Sequence, residues 1–187
     1  MKIIYGIKNV VCAKYTIKPD GTYEYDTPFK IPGAVSLSLS TSGDSNDFFA
    51  DDVIYNSSNA NQGYEGDLEI ALIPEQFKTD ILGEIKDSNG ALIENADAEQ
   101  NGFALGFEAS GDVKARRTWF YNCKASRPNV DAKTKEKSIS PSTEKLTIKV
   151  MPRLNDHAIK AVMELTDSNK AKYDSFFSEV YEKTASV

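Results

Sequence analysis

The side chains best suited to chemistry are few in this sequence and far apart. His157 is the only histidine and has no second metal-ligating residue at a ligand spacing. Cys12 and Cys123 form no CxxC pair, and neither has a neighbour in sequence that would activate a thiolate. A nucleophile-elbow serine, a phosphate-binding glycine loop and a dinucleotide fingerprint are all missing. Carboxylates are abundant, so two of them acting as the acid and base of a glycoside hydrolase is the one enzyme class that motifs leave open. Dispersal among turns argues for solvation instead. Gly43, Asp44, Asp51 and Asp52 lie in an acidic stretch that also holds Phe48 and Phe49. It lacks the alternating ligands, the sixth-position glycine and the closing glutamate of an EF-hand, so Asx turns and capping account for it better than calcium does. These residues imply no enzyme, no metal and no cofactor.

Bulk properties narrow the class further. The chain of 187 residues is long enough for a core of its own, and 40% hydrophobic with 27% charged residues is the composition of a folded protein. A net charge of −6 argues against a nucleic-acid-binding surface, which needs a local excess of Lys and Arg. The two basic runs, Lys114 to Arg117 and Lys133 to Lys137, read as a solvated strand and a solvated loop. Two isolated cysteines suit a reducing compartment. No run has the length of a membrane span, and the N-terminus has too short an apolar stretch for a signal peptide, so the chain is expected to stay inside the cell until something other than secretion releases it.

The elements that position these residues are mostly strands. Val10–Ile17 and Tyr23–Phe29 flank Pro19-Asp20-Gly21 as a hairpin. Val35, Leu37 and Leu39 alternate with Ser36, Ser38 and Ser40, and the strand then runs into the Gly43–Asp52 loop. Val53–Asn56 is a short strand, Ser57–Gly63 is turn-rich, and Leu68, Ile70 and Leu72 share one face of the next strand. At Pro74 the period changes to that of a helix over 74–82, with Leu72 stapled onto Phe77 and Gly83 as the stop. Phe103–Glu108 and Lys114–Ala125 form a hairpin. In it Trp119, Tyr121, Cys123 and Ala125 fall on one face, with Arg116, Thr118, Phe120, Asn122 and Lys124 on the other. Trp119 reads as core. Leu146, Ile148 and Val150 mark a clean strand, and Ala158–Leu165 marks another. Tyr173, Phe176, Phe177, Val180 and Tyr181 recur at helical spacing, predicting a C-terminal helix docked across a sheet and capped by Asp167 or Ser168. The expected fold is mainly β: a β-sandwich or flattened barrel of two packed sheets with a short mid-chain helix and a C-terminal helix. It forms one domain over residues 1–183, with 184–187 as a tail.

Several segments carry a family likeness. "IPGAVSLSLSTSGDS", "FFADD" and "NQGYEGDLEIALIPEQFKTDILGE" resemble the major tail proteins of siphophages, the long-tailed, non-contractile phages of Gram-positive bacteria, as do "YNCKASRPNV", "STEKLTIKV" and the closing aromatic segment. The resemblance implies a structural virion protein. Six subunits form a ring, and rings stack into a hollow tail tube through which DNA passes unbound. It implies assembly in the host cytoplasm around a tape-measure protein, a tail terminator and distal tail proteins as partners, and no membrane. A long loop between early strands reaches the adjoining ring in such proteins. Gly43, Asp44, Phe48, Phe49, Asp51 and Asp52 occupy that position here. Phe48 and Phe49 are then either an apolar anchor in the next ring, kept soluble by the flanking acids, or the start of a strand that tucks inward. Two rival readings are a non-polymerising β-sandwich binding module and the acid-pair hydrolase.

Overall fold

The computed structural model describes residues 6–184 apart from 44, 51–52, 60, 112–113 and 131–142, and for 45–59 it describes the backbone alone. The strands are β1 Ile7–Ile17, β2 Tyr23–Tyr25, β3 Phe29–Lys30, β4 Ala34–Ser42, β5 Ser45–Ala50, β6 Val53–Asn59 and β7 Gly63–Ile70. After helix α1, Glu75–Asp80, come β8 Ile85–Lys86, β9 Leu92–Ile93, β10 Phe103–Ala109, β11 Arg117–Ala125, β12 Glu144–Met151 and β13 Lys160–Met163, and then helix α2, Lys170–Asp174.

Nine strands make one antiparallel sheet in the order β2-β1-β10-β11-β12-β7-β4, with β3 also on β1 and β13 also on β11. The alternation in the sequence sets which face each strand buries. Leu146, Ile148 and Val150 of β12 and Leu68 and Ile70 of β7 are fully buried. They share one cluster with Val10 and Cys12 of β1 and with Phe103 and Leu105 of β10. Residues from strands so far apart along the sheet can share a core only if the sheet curls over on itself, so the architecture is a flattened barrel. α1 lays Phe77 and Ile81 into the same core, with the Phe77 ring edge-on to Phe103 at 5.4 Å. Gly83, at φ +78°, turns the chain out of that helix.

A second cluster lies on the outer side of β1, β10 and β11, where Val11, Ala13, Ala104, Trp119 and Tyr121 meet Phe176 and Val180. These strands are therefore buried on both faces over Val10–Ala13 and Thr118–Cys123.

Three expectations are corrected. β11 does not keep one face throughout. Leu105 pairs with Phe120 but Phe103 pairs with Cys123, so β11 holds one extra residue in a bulge. Trp119 and Tyr121 belong to the outer cluster, whereas Phe120, Cys123 and Ala125 belong to the inner one, because an inserted residue flips every side chain beyond it. Leu72 is not a staple: β7 ends at Ile70, Leu72 is exposed, and Ile73 is buried in its place. The segment after Ser42 is not one long loop, because β5 and β6 pair as a hairpin in which Ser57–Asn59 is strand and Ala50 faces Val53.

Candidate assembly surfaces

The polar side of the β4–β7–β12 ribbon is laid out in columns. The register sets Ser36, Ser38 and Ser40 beside Glu69, Asp67 and Glu65, and these in turn beside Lys145, Thr147 and Lys149. Thr147 Oγ1 donates to Asp67 Oδ1 at 2.8 Å and Ser36 Oγ to Glu69 Oε2 at 3.1 Å. Hydrogen bonds from Thr143 and then Ser36 hold the Glu69 carboxyl below its usual range. Glu69 is thus held in its charged form beside Ser36 and Lys145. The result is a hydrated face that leans negative and offers an anion no cradle.

Of the residues expected to meet a neighbour, Gly43 is exposed just after β4. Phe48 and Phe49 lie in β5, their backbones opposite Asn56 and Ile54 with a register shift between them. Asp44, Asp51 and Asp52 fall outside the described residues. The β5–β6 hairpin forms a two-stranded sheet of its own, continuing from the β4–β7 ribbon. An isolated hairpin is marginally stable in water.

The aromatic C-terminal segment packs as a strap across the sheet. Tyr173, Phe176 and Val180 are buried, and Phe177 and Tyr181 pack against the same cluster. α2 covers only Lys170–Asp174, starts at Asn169 rather than Asp167 or Ser168, and gives way to turns. The backbone around and beyond its end is met by donors from the sheet. Arg117, Trp119 and Tyr121, alternate residues of β11, donate to the carbonyls of Tyr173, Phe176 and Tyr181, the latter two at 2.8 and 2.7 Å. Tyr173 O also accepts from Phe176 N at 3.2 Å, and the Ser175 hydroxyl bonds back to Ala171 O. Burial, followed by the nearby Glu182, pushes the Tyr121 phenol up to about 12, so it remains a donor at neutral pH.

Two arginines that hold this strap gave no sequence signal. Arg117 was expected to be solvated, yet its guanidinium lies 4.0 Å from the Tyr173 ring centroid and pairs with Glu108 at 3.2 Å. Arg153, 3% exposed, clamps Asp156 and Glu182 and lies 4.3 Å from the Tyr121 ring centroid. The period-two run Arg117, Trp119, Tyr121 was visible in the sequence; its remote partners were not.

Among the described residues the side chains best suited to chemistry stay apart. Both cysteines are free and buried, and burial pushes each thiol well above its usual value. His157 sits in the β12–β13 connection at φ +56°, and no metal-sized group of ligands occurs among the described residues.

Residues 1–150 match a family model described as phage tail tube protein. A search of curated protein sequences gives no match. Among solved structures, a cryo-EM structure of the anti-feeding prophage cap, a tube terminating cap, is similar at a TM-score of 0.38 and 12% identity, covering 88% of this chain and 95% of that one.

Proposed function

The chain belongs to the phage tail tube protein family, a structural component of the phage tail and not an enzyme, and from that premise we propose that it is the major tail subunit. Six copies form a ring and rings stack into the hollow tube through which DNA leaves the head. The family match over residues 1–150 carries this reading. The domain runs to residue 183, the tube assembles in the host cytoplasm around a tape-measure protein, and terminator and distal tail proteins close its ends.

The polar columns of β4, β7 and β12 suit the wall of a water-filled lumen. Three carboxylates against two lysines, in a chain of net charge −6, repel phosphate rather than retain it. A conduit needs that, because each bound phosphate would slow the passage of DNA. The β5–β6 hairpin suits the reach from one ring to the next, with Phe48 and Phe49 as the apolar anchor and Gly43, Asp44, Asp51 and Asp52 around it. A desolvated aromatic anchor at an interface contributes ~2 kcal/mol or more, and six per ring act together.

Electron microscopy of the purified chain over a range of concentrations tests the reading. Rings or tubes are expected; a monodisperse monomer at every concentration would sink it.

A further inference from the structure

The sequence holds two Asn-Gly pairs, Asn89-Gly90 and Asn101-Gly102. Asparagine is a thermolabile residue, and before glycine it is most exposed to cyclisation. The glycine nitrogen has no neighbouring side chain to hinder its attack on the asparagine side-chain carbon. The fold treats the two pairs in opposite ways.

Asn101 is tied down. Its backbone nitrogen donates to Ile81 O at 2.9 Å, and its Nδ2 donates to Asp80 O at 2.8 Å, at the end of α1. Gly102 is buried against Tyr15, whose phenol would lie 2.2 Å from an added Cβ. Turning the Asn101 side chain onto the Gly102 nitrogen would break the bond to α1 in a place with no room to move.

Asn89 and Gly90 are both exposed. They lie in the turn between β8 and β9, with Gly90 at φ +86°. That hairpin has two residue pairs, Ile85 with Ile93 and Lys86 with Leu92, and forms a sheet of its own. So small a ribbon opens locally far more often than the barrel unfolds. An added Cβ at Gly90 would meet only Lys86 Cε, at 4.0 Å, so a ring has space to form there. Asp87 supplies the base. Its Oδ2 accepts from Asn89 Nδ2 at 3.5 Å, and the amides of Ala91, Asn89 and Gly90 hold its carboxyl below the usual range. An ionised acceptor therefore faces the proton that the Gly90 nitrogen must lose.

We propose that Asn89 is a deamidation site of the free chain. The Gly90 nitrogen gives up its proton to Asp87 and bonds to Asn89 Cγ. The Cγ–Nδ2 bond breaks, the proton returns to Nδ2, and ammonia leaves a succinimide ring behind. Water then opens the ring at either carbonyl, giving aspartate or isoaspartate. Both products add a carboxylate beside Glu84, Asp87 and Glu94. Isoaspartate also lengthens the backbone by one carbon. It thereby disrupts the turn in which Asp87 Oδ1 accepts from Asn89 N at 2.9 Å and Ala91 N at 2.7 Å. An isoaspartate methyltransferase is the class of enzyme that would take this product as substrate. The site does not depend on the tube reading.

The test incubates the folded full-length chain in mildly alkaline buffer, then maps its peptides by mass spectrometry, with enzymatic methylation marking isoaspartate. Asn89 is expected to gain about one mass unit roughly tenfold faster than Asn101 or more. In urea the two pairs should react at similar rates, which assigns the difference to the fold. Asn89→Gln, which would have to close a larger and less favoured ring, should stay unmodified and keep the wild-type melting temperature. An Asn89 that stays intact, or an Asn101 that reacts as fast in the folded chain, overturns the proposal. A preference for Asn89 that persists undiminished in urea overturns the part given to the fold.

Discussion

Replacing Phe176 with Ala tests whether the C-terminal strap is part of the folded core. Phe176 is 2% exposed, its ring lies 5.7 Å from Phe177 and 5.4 Å from Tyr181, and its carbonyl accepts the Trp119 Nε1 hydrogen bond. Truncating a buried Phe to Ala loses the transfer free energy of the ring and leaves a cavity, together ~3–5 kcal/mol. A domain has only about 5–15 kcal/mol in total. For a chain of this size each kcal/mol moves the Tm by about 2–4 °C, so a fall of roughly 6–20 °C is expected. The assay is differential scanning calorimetry paired with fluorescence. Trp119 is the only tryptophan and is fully buried beneath the strap, so its emission reports on docking directly. If the strap loosens before the barrel melts, the emission shifts red at a temperature below the calorimetric transition. A Tm within about 2 °C of the wild type, with unshifted emission, would refute the reasoning, because the strap would then be an accessory.

Glu108 should make stability depend on acid. Burial alone would raise its carboxyl, but hydrogen bonds from Lys8 and Asn9, the Lys8 charge and then Arg117 bring it below the usual glutamate range. A depressed folded value gives stability that is present above the unfolded pKa of ~4.3 and lost as pH falls through the folded one. Urea midpoints should therefore drop below about pH 4.3, and Glu108→Gln should flatten that slope. Phe48→Ser with Phe49→Ser should leave the Tm nearly unchanged and shorten or abolish tubes in electron micrographs; an unfolded chain would place the pair in a core, and full-length tubes would put stacking elsewhere. Gly66→Ala should separate β4 from β7, because a Cβ there would lie 1.9 Å from Ser38 O, and a melting scan should show a loss of more than ~2 kcal/mol. Neither thiol should react with a thiol reagent until denaturant is added. Titration with duplex DNA should show no salt-sensitive binding tighter than micromolar.

What the sequence by itself determined is the part that periodicity records. Serine against leucine in β4, acid against Leu68 and Ile70 in β7, and lysine against Leu146, Ile148 and Val150 in β12 state which face avoids water. The structure buries those faces of β7 and β12 but only half-buries Leu37 and Leu39, and it exposes Val35 at the β4 bulge. The spacing from Tyr173 to Tyr181 likewise marked a segment that needed a surface, and the extended family likeness supplied the class of protein. Tertiary structure decided the rest, for reasons local patterning cannot carry. The extra residue between Phe120 and Cys123 leaves no sequence mark, yet it moves Cys123 and Ala125 from the outer cluster to the inner one. The seat of the strap depended on Arg117 and Trp119 reaching the Tyr173 and Phe176 carbonyls from more than fifty positions away. Arg117, half-buried, and Arg153, buried, became clamps because carboxylate and carbonyl partners arrive from another strand and from the strap.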